Sequence, residues 1–144
     1  MTDNKHQAVW DWLYSCPAIK DLFFNFGVAQ NDNTIVGTQA AESIIKTYLG
    51  GATVREYDFA IIQFKPANTE TPNSAENAEI LFDTEAVMRW VDEQAKQRNF
   101  PAFPANCEIQ SIKNLHNMPF VAGQDETGAK YMFTVRITYL EKRG

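Results

Sequence analysis

Apolar side chains recur along this chain with two different periods, and the change of period marks its elements. AKYMFTVRITYLEK, residues 129–142, repeats every second residue. Tyr131, Phe133, Val135, Ile137 and Tyr139 fall on one side and Met132, Thr134, Arg136, Thr138 and Leu140 on the other. A period of two is a strand. Its first side is apolar or aromatic throughout and predicts a core face. Its second is mixed and is not explained by one core.

The longest helical period lies in NSAENAEILFDTEAVMRWVDEQAKQRN and predicts one helix over 74–98. Ile80, Leu81, Thr84, Val87, Met88, Val91 and Ala95 form its apolar stripe at about 100° per residue. Asn73 or Ser74 serves as cap, Glu76 and Glu79 suit the positive end, and Lys96 and Arg98 the negative end. Phe82 lies nearly opposite the stripe and Trp90 well to one side. A first helix, 3–15, follows from Ala8, Val9, Trp12, Leu13 and Cys16, with Thr2 or Asp3 as cap and Pro17 as stop.

LFFNFGV, 22–28, reads as a short aromatic strand, and 29–41 as an irregular connection with weak β character at Thr34–Val36. Strands 42–49 and 52–65 form a hairpin across Gly50-Gly51, because paired glycines supply the positive φ of a tight turn. ANTETPN, 67–73, reads as an exposed polar loop, and NFPAFPAN, 99–106, as a loop with two prolines and two aromatics. CEIQSIKNL, 107–115, reads as a strand. HNMPFVAGQDETG, 116–128, reads as a loop ending in a turn at DETG. The order predicts a single α+β domain spanning 1–144, a mostly antiparallel mixed sheet with helices packed on one face.

Composition narrows the function. The 144 residues carry a formal net charge of −5. A nucleic-acid binder needs a basic footprint, and the Lys and Arg here are scattered. No apolar run approaches the ~20 residues that span a bilayer, and the start MTDNKHQAVWDW has no signal-peptide core. A cytoplasmic protein without membrane contact is expected. Cys16 and Cys107 lie outside any CxxC spacing and read as reduced, buried thiols.

Candidate chemistry is sparse. The two histidines, His6 and His116, have no ligand spacing, and His6 falls in a polar, fraying terminus. DETG lacks the acidic repeats of a calcium loop. GxSxG, GxxxxGK[ST] and GxGxxG are absent. Cys107 with His116 is the one nucleophile–base pair on offer, and a Cys opening a strand is more often a small hydrophobe. No catalytic, cofactor-binding or metal-binding residue is assigned, and no enzyme is expected.

The residues that folding explains least are apolar: Phe82, Trp90, Phe100, Phe103, Met132 and Leu140. Either the first helix covers some of them or they meet another subunit, since interface cores are enriched in such side chains. Phe82, Trp90, Met132, Arg136 and Leu140 are the candidate interface residues.

EYDFAIIQFKP, NSAENAEIL, MRWVDEQ, NFPAFPANCEIQSIKNL with the NMP and AG that follow, and AKYMFTVRITYLEK together resemble a family of small phage proteins. These are the tail terminator, or tail-completion, proteins of long-tailed phages and prophages of Gram-positive bacteria, sometimes labelled minor capsid proteins. The resemblance covers roughly residues 8–142. It implies a virion protein assembled in the bacterial host cytoplasm, with no cofactor and no active site. It also implies a homo-oligomeric ring, commonly a hexamer, at the head-proximal end of the tail. That ring stops tube polymerisation and joins the head. Its partners are the tail tube protein, in some tails the sheath protein, and the head connector or stopper. Genome DNA passes through the lumen without specific binding. The alternatives are a connector or stopper subunit, and a small cytoplasmic enzyme or ligand-binding domain.

A chain without metal or phosphate sites has nothing for such ligands to stabilise. Thermal melts with divalent metals and with nucleotides should leave Tm unchanged; a reproducible rise of several degrees would reveal a site.

Overall fold

The computed structural model describes residues 4–19, 21–24, 33–65, 74–116, 118–125 and 128–142. Eight elements follow one another: α1 Lys5–Tyr14, β1 Asp21–Phe24, β2 Asn33–Thr47, β3 Thr53–Lys65, α2 Ser74–Gln97, β4 Cys107–Asn114, β5 Phe120–Asp125 and β6 Gly128–Glu141. The strands form one six-stranded sheet in the order β1-β2-β3-β6-β4, with β5 also on β6. β1 runs parallel to β2 and every other pairing is antiparallel. The fold is α+β, as the order of periods predicts.

β6 is the centre. β3 pairs along nearly its whole length, from Thr53 opposite Glu141 to Lys65 opposite Ala129. Its other edge is shared: β4 takes the end from Val135 to Glu141, and β5 the start from Gly128 to Met132. The alternation read from 129–142 holds throughout. Tyr131, Phe133, Val135, Ile137 and Tyr139 are all buried, and every residue of the mixed side from Met132 to Leu140 is half-buried.

Both helices lie on the buried side. One cluster joins Ala8, Val9, Trp12, Leu13 and Cys16 to Val87, Met88 and Val91, and both groups to Tyr57, Phe59, Ile61, Phe133, Val135 and Ile137 of the sheet. The α2 stripe is as predicted where described: Thr84, Val87, Met88 and Val91 are buried, Leu81 is half-buried and Ala95 packs at the margin. The Ile80 side chain lies outside those described. α2 ends where Arg98 turns to φ 56, its N–H donating to Ala95 O.

The N-cap of α1 is Asn4, not Thr2 or Asp3; its Oδ1 accepts from His6 and Gln7 N–H. The helix is also pinned to the sheet by polar tips. Lys5 Nζ donates to Tyr139 Oη at 3.0 Å, and His6 Nδ1 lies 2.5 Å from Tyr57 Oη. His6 is therefore held in a helix and does not sit in a fraying end. The phenol rings fill the core while their hydroxyls reach its rim, which an amphipathic aromatic does well.

Two segments expected to be irregular are strands. Residues 33–41 belong to β2, where Thr34, Ile35 and Val36 stand opposite Gln63, Ile62 and Ile61. Residues 120–125 form β5. Neither has a strong pattern of its own; each gains its ladder from a well-patterned neighbour. The Gly50-Gly51 turn is as expected, with φ 95 and 94 and Gly51 N–H donating to Tyr48 O. The loop expected at 67–73, the end of the first strand at 25–28 and Glu126 and Thr127 of DETG lie outside the described residues.

Phe59 is fully buried opposite Val135 at the centre of this sheet. Phe59→Ala should cost about 3–5 kcal/mol, seen as a lower urea midpoint at unchanged slope. A loss under about 1 kcal/mol would mean that the core is placed elsewhere.

Candidate functional site

The unexplained side of β6 forms a continuous sheet face with the even-numbered residues of β3. Register sets Ile62 beside Met132, Ala60 beside Thr134, Asp58 beside Arg136, Glu56 beside Thr138 and Val54 beside Leu140. Ile35 of β2 adjoins Ile62. Ile35, Val54 and Ala60 are buried but stand outside the cluster that the helices cover. Both described helices pack on the opposite face.

At the middle of this face lies an ion cluster. Arg136 Nε donates to Asp58 Oδ1 at 2.9 Å and Nη2 to Asp58 Oδ2 at 3.0 Å, a two-pronged pairing that suits a planar guanidinium. Nε also lies 2.8 Å from Glu56 Oε2. The hydrogen bond to Asp58 raises the Arg136 pKa above its ordinary value, burial opposes this, and the charges of Asp58 and Glu56 add to it. A cation with a raised pKa loses its contribution only as pH rises through that value, far into alkali. Arg136 is thus a fixed positive charge at all ordinary pH. It separates two apolar ends, Ile35, Ile62 and Met132 on one side and Val54 and Leu140 on the other.

Phe82 and Trp90 part company. Trp90 stacks obliquely on Trp12 at 4.7 Å between ring centres, and Trp12 Nε1 donates to Asn99 O. The first helix therefore covers Trp90 within one subunit. Phe82 is 61% exposed, with the Arg89 guanidinium 4.4 Å from its ring centre. Phe103 is buried in the core between Tyr57 and Tyr139, edge-on to both, and Phe100 packs at the core margin beneath Arg98.

The one sequence-level nucleophile pair is not assembled. Cys107 opens β4 and His116 lies beyond its far end. Eight residues of extended strand at ~3.3 Å each separate them by about 25 Å. Cys107 is half-buried, not buried as expected, whereas Cys16 is buried and burial pushes its thiol pKa up.

A cleft of about 260 Å³ between α2 and β4 is lined by Glu85, Met88, Arg89, Asp92, Asn114 and His116. Some of its polar groups pair with one another: Asn114 Nδ2 donates to Asp92 Oδ1 and Met88 O, and Arg89 faces Glu85 at 3.9 Å, while Asn114 Oδ1 is buried with no partner among the described residues. Among the described residues no three His, Cys, Asp or Glu side chains gather to hold a metal. No helix among them is long and apolar enough to cross a membrane.

The sequence reading missed the tip of the β2–β3 hairpin, where Ile44, Ile45, Tyr48 and Leu49 are exposed. A signal was present: adjacent isoleucines cannot both point to one side of a strand. Compared with known proteins, the chain matches no family model and no curated protein.

Trp90→Ala should lower stability by about 2–4 kcal/mol, because it opens a cavity beside Trp12. Phe82→Ala should stay within about 0.5 kcal/mol of the parent. Equal losses in urea denaturation would contradict the placement of the two rings.

Proposed function

We propose that this chain is a virion structural protein, a tail terminator whose copies form a ring on the head-proximal end of a phage tail tube. The ring halts tube growth and offers the surface for head joining. The observation that carries the reading is the second sheet face. Its apolar ends at Ile62 and Met132 and at Val54 and Leu140 flank a fixed ion cluster, and both described helices are spent on the other side. Met132 and Arg136 on this face are residue types enriched in subunit interfaces. The resemblance of roughly residues 8–142 to tail terminators supports the same reading.

The chemistry fits a part that touches protein and lets DNA pass. A net charge of −5 gives phosphate little to bind. In the cleft between α2 and β4, Asn114 pairs with Asp92 and Arg89 with Glu85, and the reading assigns no catalysis there. Each subunit of a ring needs two different contact surfaces that close by rotation. The sheet face supplies one, and Phe82 with Arg89 on the outer side of α2 marks ground for contact with the tube or connector.

Deletion of the gene in the phage or prophage that encodes the chain should yield tails of uncontrolled length, or tails not joined to heads, in electron micrographs. Met132→Glu with Leu140→Glu should reproduce the defect with Tm within a few degrees of the parent. Tails of normal length joined to heads after deletion would sink the reading.

A further inference from the structure

Residues 44–51 form an unbroken run of exposed positions at the tip of the β2–β3 hairpin. Ile44 and Ile45 keep 53% of their surface open, Tyr48 42% and Leu49 all of it. The ladders beside the tip run almost to the turn, with Thr47, Thr53, Glu141 and Cys107 in one row, so residues 48–52 alone extend past the sheet. The apolar surface the tip offers is on the order of 500 Å², toward the top of the about 300–600 Å² of the largest patch on an ordinary monomer. That is more than half of the about 800 Å² each partner contributes to a stable interface.

The tip is held by its own hydrogen bonds. The Gly50-Gly51 turn closes it, and Tyr48 N–H donates to Ala52 O at 2.8 Å. Lys46 lies along the ribbon with Nζ 4.9 Å from the Tyr48 ring centre. The β2–β3 register shifts between Ile44 and Lys46, so Ile45 is a bulge, and a bulge with a neighbouring Lys discourages strand-on-strand extension of an edge. Among the described residues β1 covers β2 only from Asn33 to Val36, so the β2 side of the tip has no strand beside it, whereas β3 stays paired with β6 up to Thr53. Side-chain insertion, not ladder growth, is the contact such a ribbon can make.

On the far edge of the same sheet a second exposed apolar pair, Leu115 and Met118, sits where β4 gives way to β5. Two different apolar surfaces on opposite edges are what a head-to-tail contact between identical chains requires. A lipid surface is the poorer occupant. Anionic lipids attract clustered Lys and Arg, and Lys46 is the one cation within 44–51 of an acidic chain.

The geometry points to the β2–β3 hairpin as an arm that inserts into a second copy of this chain, seating Ile44, Ile45 and Leu49 against the Leu115–Met118 edge of its neighbour. This deepens the ring reading above and rests on it for closure of the contacts into a ring.

The test is sedimentation of the full chain to millimolar concentration. The parent should self-associate. Ile45→Lys with Leu49→Lys should weaken association at least about tenfold, a common effect of losing central apolar anchors, at unchanged Tm because both positions are exposed. In a Cys107→Ser background, Leu49→Cys with Met118→Cys should form a disulfide ladder that neither single cysteine gives. A parent that stays monomeric, association that the Lys variant retains, or a missing ladder overturns the arm. Flotation with phosphatidylcholine–phosphatidylglycerol vesicles that the Lys variant abolishes would assign the tip to lipid and overturn it too. The two ideas fail separately. Altered tails on deletion with normal tails from the Lys variant reject only the arm, and normal tails on deletion reject the terminator reading whatever the arm does.

Discussion

The register of β6 is the constraint on which the rest of the structure depends. β3 pairs with it along one edge, β4 and β5 divide the other, and both helices pack on the face made by its odd-numbered residues. A slip of one residue would turn Phe133, Val135 and Ile137 outward and drive Arg136 into the core. The cost of that slip is the full burial of five large side chains together with the desolvation of a charge, far beyond the marginal stability of a small domain. Arg136 is thus more than a surface residue. Its pairing with Asp58 across the ladder opposes any register that would separate them.

The helices extend that order outward. α1 is a short helix whose own stability is slight, so it depends on what it meets. Trp12 meets Trp90, Lys5 meets Tyr139 and His6 meets Tyr57. These contacts join the chain's beginning to α2, β3 and β6, and Phe103 seals the space between the two tyrosines. The loop at 99–106 therefore contributes Phe103 to the core, even though its two prolines exclude it from helix and ladder alike.

Where a sequence departs from the pattern its fold demands, function is the usual reason. Two departures stand out. The sheet face opposite the helices carries apolar stations that the described helices do not cover, and the β2–β3 tip carries isoleucines and a leucine into solvent. Folding alone rewards neither. The two differ physically: the face is half-buried and held by its ladders, whereas the tip is exposed and passes the last ladder row at residues 48–52. A rigid face suits a permanent seat and an exposed turn suits a contact with a neighbour.

Local periodicity by itself determined a good deal: the two faces of β6, the stripes of α1 and α2, the Gly50-Gly51 hairpin, and the placing of Met132, Arg136 and Leu140 together on one side. Each follows from one residue type repeating at the spacing of one element, so no distant partner is needed to read it. Tertiary structure alone decided the rest. Residues 33–41 and 120–125 became strands because β3 and β6 had edges to fill. Trp90 was covered because α1 crosses it, and Phe82 was left open because nothing described does. Cys107 and His116, near in sequence, were set apart by the strand between them. Burial of a side chain is a property of what packs against it, and long-range packing leaves no periodic mark on the chain.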